Sequence, residues 1–198
     1  MNENVIIILA GGASVRMKKP KQLLYFKSET LLAHTIKEAQ KSLMPVIVVL
    51  GANSKKVMQE IKSMEEQTVI NEAWESGMSS SIKAGVHKAL ANFKELRNCI
   101  IAVCDQPYIS SLLFRELVDE KRRTGKNIIA CSYADTLGTP CLFDKKYFQE
   151  LLQLKGDHGA KKILQKYPQD VASVNFENGS FDVDTKKDYE ELLKNEDL

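Results

Sequence analysis

Val5-Ile6-Ile7-Ile8-Leu9-Ala10, running into Gly11-Gly12-Ala13-Ser14-Val15-Arg16, is the stretch on which the fold turns. An unbroken run of β-branched and aliphatic residues has no polar face, so it reads as a strand buried on both sides, as inside a parallel sheet. Runs of the same character recur at Pro45 to Leu50, Cys99 to Cys104 and Asn127 to Cys131, with Thr68 to Ile70 a weaker member. Between them lie segments of helical period, Thr30 to Ser42, Ser54 to Met64, Ser79 to Asn92 and Ser110 to Arg123. Strand and helix in alternation predict an α/β fold of three layers, a mostly parallel, Rossmann-like sheet with helices on both faces. Ser54, Ser79 and Ser110 are the expected N-caps, since a hydroxyl can accept from first-turn amides that lack intrahelical partners. After Cys131 the pattern is less regular. It suggests a strand at Pro140 to Phe143, helices near Lys145 to Leu154 and Ala160 to Tyr167, and a last helix from Lys186 to Lys194.

With 198 residues and 43% hydrophobic content, the chain suits a single domain, 1–198. Its 28 basic and 26 acidic residues nearly cancel, which argues against a nucleic-acid or membrane partner. Val5 to Ala10 is too brief for a signal-peptide core, and no run approaches the ~18 apolar residues of a membrane span, so a cytoplasmic location is expected. The four cysteines, Cys99, Cys104, Cys131 and Cys141, show no C-x-x-C spacing and read as buried, reduced thiols.

In open α/β sheets ligands bind beyond the carboxyl ends of the strands, so the residues just after each strand carry the chemistry. After the first strand, small residues from Gly11 to Ser14 let backbone amides approach a phosphate, and Arg16, Lys18, Lys19 and Lys21 can neutralise it. The loop fits neither G-x-x-x-x-G-K-[ST] nor G-x-G-x-x-G, so no P-loop or dinucleotide site is expected. Asp105 is the first charged residue beyond Cys99 to Cys104, placed to enter the same cleft as an oxygen ligand for Mg²⁺. Asp182 and Asp184 flank Val183 on an expected short strand, where a period of two sets both on one face and makes one of them the second ligand. Asp184 or Thr185 can also cap the last helix.

The blocks Leu9-Ala10-Gly11-Gly12-Ala13-Ser14-Val15-Arg16-Met17 with Lys21-Gln22-Leu23-Leu24, Asn71 to Ile82, Cys104-Asp105-Gln106-Pro107, Gly138-Thr139-Pro140, Gly156 to Ala160 and Asp182 to Thr185 occur together in order. In these blocks the chain resembles the nucleotidyltransferases related to the molybdenum-cofactor cytidylyl- and guanylyltransferases, whose fold is that of nucleotide-diphospho-sugar transferases. The resemblance implies Mg²⁺-dependent transfer of a nucleotidyl group from CTP to the molybdenum cofactor, with release of pyrophosphate. It implies nucleotide contacts from Leu9, Ala10, Gly11, Gly12, Ser14, Arg16, Lys21, Asn71 and Ser81, with Trp74 shaping the pocket. Arg16, Lys21 and Asp105 would carry the catalysis, and Asp105 with Asp184 the metal. Gly138, Thr139, Pro140, Asp157 and His158 would face the pterin acceptor, in a half of the chain from about 108 to 198 opposite a nucleotide half of about 1–107. Lys18 stands where the family usually has glycine, and Tyr25-Phe26 where it has proline. Ala10-Gly11-Gly12 is more typical of the guanylyl branch than the cytidylyl Ala-Ala-Gly, so GTP is the alternative donor. A sugar-phosphate acceptor, or a carrier that hands cofactor to a recipient molybdoenzyme, are the other readings.

Overall fold

The computed structural model describes residues 3–17, 19–62 and 67–196. Lys18, whose place in the first loop was a question for the sequence, lies outside the described residues, as do Met64 and its neighbours at the expected end of the second helix.

The fully apolar runs do form strands. β1 (Asn4–Ala10) pairs in parallel with β4 (Val46–Leu50) on one side and β6 (Asn98–Val103) on the other, and β4 pairs in parallel with β5 (Gln67–Ile70). Beyond β6 the sheet changes direction. β8 (Thr136–Asp144) runs antiparallel to both β6 and β7 (Ile128–Tyr133), and β9 (Val171–Asn175) returns parallel to β7, giving the order β5-β4-β1-β6-β8-β7-β9. The sheet is thus mostly parallel, as expected, with one antiparallel strand inserted. β9 was not foreseen, because Val171-Ala-Ser-Val-Asn is half polar and lacks the apolar signature of a central strand; it is a sheet edge. A small antiparallel pair, β2 (Tyr25–Phe26) and β3 (Glu29–Thr30), stands apart.

Helices cover both faces, as a sheet with two apolar faces requires. α1 (Leu31–Lys41), α2 (Ser54–Glu60) and α4 (Ser111–Thr124) bury Leu32, Ile36, Val57, Phe114 and Leu117 against Ile6 and Ile8 of β1. α3 (Met78–Asn92), α5 (Phe148–Leu152) and α6 (Lys161–Lys166) bury Ile82, Val86, Leu151 and Ile163 against the alternate residues Val5, Ile7 and Leu9. A third, smaller core joins Leu24, Phe26 and Leu31 to Val183 and to Leu192 of α7 (Lys186–Glu196).

The expected caps divide. Ser110 caps α4, its hydroxyl accepting from Leu113 N at 3.2 Å, and Thr30 does the same for α1 through Ala33 N at 3.2 Å. Ser54 and Ser79 do not cap: α2 starts from Asn53 in the left-handed region, and α3 starts one residue before Ser79, from Gly77. Asp182 to Asp184 form no strand. They are an irregular segment, turned by Asp184 N to Asp182 O at 3.1 Å and joined to the chain after β6 by Val183 N to Asp105 O at 2.9 Å, so the argument that alternation places both carboxylates on one face does not apply. All four cysteines are buried and free, as expected. No described helix is long and apolar enough to cross a membrane.

Candidate active site

The first loop is fastened from behind. Gln22, fully buried, donates from Nε2 to the carbonyls of Ala10 at 2.8 Å and Gly12 at 2.9 Å, and Lys21 N donates to Ser14 Oγ at 3.0 Å. The segment that carries the lysine thus also fixes the curvature of the glycine loop. Sequence reasoning missed Gln22, whose only signal was its place beside Lys21.

Lys21 Nζ lies between two carboxylates, hydrogen-bonded to Asp105 Oδ2 and 3.0 Å from Asp184 Oδ1. Arg16 reaches the same Asp184 from outside, Nη2 to Oδ2 at 2.7 Å. Burial works to lower the Lys21 pKa, but the charge and hydrogen bonds of Asp105 and Asp184 outweigh it and hold the ammonium charged well above its ordinary range. On Asp184 burial pulls upward, and Lys21 with Arg16 brings the carboxyl below its ordinary value. For Asp182 the Lys21 charge and a hydrogen bond with Gln106 act the same way but are outweighed. Burial, then the charges of Asp105 and Asp184, push its pKa up to about 6.

Of these groups, Lys21 and Asp105 open onto a cleft of about 360 Å³ that Leu9, Gly11 to Ala13, Trp74 and Ser81 also line. Glu75, Gly77, Met78, Val103 and Asp157 complete its lining. Asn71 stands behind it, buried, its Nδ2 donating to Ser80 Oγ at 2.8 Å and Ser81 Oγ at 3.1 Å, so it orients Ser81 from outside the cleft lining.

A second cavity of about 280 Å³ shares Met78 and Val103 with the cleft and is lined by Gly138, Thr139, Tyr133 and Gly159. Tyr133 also lines a larger groove of about 730 Å³ between the β7–β8 hairpin, α6 and β9. Thr136, Leu137, Lys161 and Leu164 also border both spaces, and a Cβ on Gly138 would fall 2.0 Å from the Tyr133 hydroxyl, so a larger residue there has to displace the ring. Of the expected acceptor residues, Gly138 and Thr139 come together in the second cavity, while Pro140 is buried in β8. Asp157 faces the first cleft instead, and His158 is exposed and lines neither.

The donor set suits a hard divalent cation. Asp105 Oδ1 is buried without a hydrogen-bond partner, and among the described residues no group of three His, Cys, Asp or Glu is arranged as a metal cage. Two carboxylates beside a phosphate-sized cleft match the habit of Mg²⁺, which takes one or two protein carboxylates and completes its shell with phosphate and water.

The model of the MobA-like NTP transferase domain matches residues 6–171. The chain belongs to the MobA-like NTP transferase family. Among its relatives, the nicotine blue oxidoreductase of Paenarthrobacter nicotinovorans is 29% identical over 94% of this chain and 95% of its own length. The molybdenum cofactor cytidylyltransferase of Escherichia coli K12 is 25% identical over 92% of each. The crystal structure of Rv0371c from Mycobacterium tuberculosis H37Rv superposes with a TM-score of 0.86 at 28% identity, covering 98% of both chains. A structure of Rv0371c in complex with manganese gives 0.79 at 27% identity over 98% of this chain and 99% of its own. At 14% identity the 4-diphosphocytidyl-2C-methyl-D-erythritol synthase of Anaerococcus prevotii shares the fold alone, with a TM-score of 0.77 over 100% of this chain and 97% of its own. The sheet with helices on both faces is thus the nucleotide-diphospho-sugar transferase-like fold, and this member of the family is a nucleotidyltransferase whose acceptor the family does not specify.

Proposed function

We propose that the protein transfers a cytidylyl group from CTP to the molybdenum cofactor, releasing pyrophosphate, with Mg²⁺ as the metal. The observation that carries the chemistry is Lys21, held charged between Asp105 and Asp184 at the mouth of the glycine loop. The relative from Escherichia coli supports this donor and acceptor, since it aligns over nearly its whole length.

Attack of an acceptor phosphate oxygen on the α-phosphorus brings two anions together, so neutralising charge and holding the reactants in line are the main tasks of the protein. Backbone amides from Gly11 to Ser14 hold the β- and γ-phosphates. Lys21 leaves its carboxylate partners to bridge the α-phosphate and the incoming oxygen, and Arg16 swings from Asp184 to the departing pyrophosphate. The carboxylates so released, Asp105 and Asp184, hold the divalent cation, which supplies further charge neutralisation at the α-phosphate when bound. The acceptor lies over Gly138 and Thr139 in the second cavity. No covalent enzyme intermediate is required, because a phosphate monoester is already a nucleophile.

GTP is the second reading, and Gly11 favours it. A Cβ there would sit 3.0 Å from Ser81 Oγ, so glycine leaves more room at the nucleoside wall than the alanine of the cytidylyl branch. Pyrophosphate release measured with Mg²⁺, molybdenum cofactor and CTP, GTP, ATP or UTP in parallel tests the proposal. Release confined to CTP supports it, and preference for GTP moves the protein to the guanylyl role. Silence with all four triphosphates sinks transfer to this acceptor.

A further inference from the structure

Asp157 was expected among the acceptor contacts, but it lines the cleft that Lys21 and the glycine loop also line. Its position is built by neighbouring contacts. Gly77 adopts φ +91°, and a Cβ on it would lie 2.4 Å from Asp157 Oδ1 and 2.6 Å from the Gly156 carbonyl carbon. Ser79 N donates to Gly156 O at 3.1 Å, and Gly159 packs where a Cβ would come 2.8 Å from Met78 Sδ. The 156–159 segment is thereby clamped onto the start of α3, and Asp157 is held at the cleft mouth. Its carboxylate makes no hydrogen bond or ion pair with any described residue.

The same cleft brings together one cation, Lys21, bonded to Asp105, and two further carboxylates, Glu75 and Asp157. The phosphates of a nucleoside triphosphate are drawn to the lysine and the loop amides and repelled by Glu75 and Asp157, so the base is the part of the nucleotide left to face those carboxylates. An ionised carboxylate only accepts hydrogen bonds. Cytosine offers an amino donor at N4, guanine has donors along its Watson–Crick edge, and uracil presents an acceptor oxygen at the position of the cytosine amine.

We propose that Asp157 reads the exocyclic amino group of the bound base, so that the cleft takes an amino-bearing nucleotide and rejects UTP. This rests on the nucleotidyltransferase reading of the same cleft and deepens it by assigning base choice to a residue of the acceptor half. Glu75 is the competing acceptor in the cleft lining, and its role is separated by experiment.

Calorimetric titration of the full chain with CTP, GTP and UTP in the presence of Mg²⁺ tests this without any acceptor. The wild type is expected to bind CTP or GTP more tightly than UTP. Asp157→Asn, at an exposed position where folding is not at stake, is expected to weaken the preferred nucleotide by about tenfold or more, the size of a lost charged hydrogen bond, and to narrow the preference over UTP. Glu75→Gln is expected to leave the preference in place. An unchanged ratio in Asp157→Asn, a collapse in Glu75→Gln instead, or a wild type that treats UTP like CTP and GTP overturns the proposal while leaving nucleotide binding intact. Failure of the wild type to bind any of the three overturns the transferase reading itself, and the base-reading role with it.

Discussion

Lys21 Nζ lies 3.0 Å from Asp184 Oδ1, joining residues 163 positions apart in the chain. Both side chains are partly buried, and the same ammonium also bonds Asp105, so one cation holds together the two carboxylates that the proposed mechanism sets against a phosphate. Lys21→Ala removes the charge from both duties. It is expected to lower kcat/KM for nucleotidyl transfer by about 10²–10³, as for loss of one preorganised charge-stabilising donor. Lys21→Arg keeps the charge but replaces a compact ammonium by a planar fork, and recovers little of the loss. Steady-state pyrophosphate release by the two variants measures this, and an active Lys21→Ala enzyme sinks the mechanism.

Asp105 is the deeper of the two proposed metal ligands, with a side chain 15% exposed against 35% for Asp184. One of its oxygens has no partner. Asp105→Asn is therefore expected to raise the Mg²⁺ concentration needed for half-maximal activity more than Asp184→Asn does. Activity titrated with Mg²⁺ after chelation, and again with Mn²⁺, checks both the order and the dependence on a divalent cation.

Much of this arrangement is legible in the sequence because it sits immediately after fully apolar strands. Val5 to Ala10 has no polar alternative face, so its burial and the opening of the loop at Gly11 follow from composition alone, and Asp105 is legible after β6 for the same reason. The later half is harder. Asp184 reaches the site through one backbone bond and a small apolar core, neither of which leaves a periodic trace. Asp157 comes to the nucleotide wall through backbone contacts of Gly77 and Gly156, which no spacing rule encodes. Ser79 looks like a cap and is not one, because Gly77 with its positive φ starts the helix earlier.

Tyr133 and Gly138 occupy adjacent strands, with no room at Gly138 for a methyl group beside the phenol hydroxyl. Gly138→Ala is expected to displace this ring, which borders both the second cavity and the outer groove. The measured effect is a higher KM for acceptor with the KM for nucleotide unchanged. Tyr133→Ala in the same chain relieves the clash, so the losses of the two single variants should not add.

Asp170 supplies the pH dependence of stability at the far sheet edge. It accepts from Asn127 N at 3.1 Å, Lys146 Nζ at 3.0 Å and Tyr147 Oη at 2.7 Å, tying the start of β9 to β7 and β8. Burial pushes its pKa up, but the hydrogen bonds from Tyr147, Asn127 and Lys146 outweigh burial and hold it well below the ordinary 3.8. Just below that ordinary value the unfolded chain binds the proton that the folded chain refuses, so stability rises with pH there. The contribution is complete above 3.8 and is lost as the pH falls towards the folded value. Urea unfolding at a series of pH values should show wild type more stable than Asp170→Asn at neutral pH, with the gap closing only in the acid range.

The placement of Asp184 depends on packing that never touches substrate. Val183 N donates to Asp105 O at 2.9 Å, Val183 is fully buried with Leu24, Phe26 and Leu192, and Thr185 and Asp188 cap α7 reciprocally. The reciprocal bonds, Thr185 N to Asp188 Oδ2 at 2.7 Å and Asp188 N to Thr185 Oγ1 at 3.3 Å, have the pattern of a capping box. Leu192 is 0% exposed, and Leu192→Ala is expected to cost about 2–5 kcal/mol of the packing that holds this segment. Its effect on function should differ from that of a general loss of stability. If α7 serves to hold Asp184 opposite Asp105, the variant at a temperature where it remains folded needs more Mg²⁺ for half-maximal activity, as Asp184→Asn does. A Leu192→Ala protein that is less stable but keeps the wild-type Mg²⁺ requirement removes α7 from the metal site and leaves it a stabilising strap.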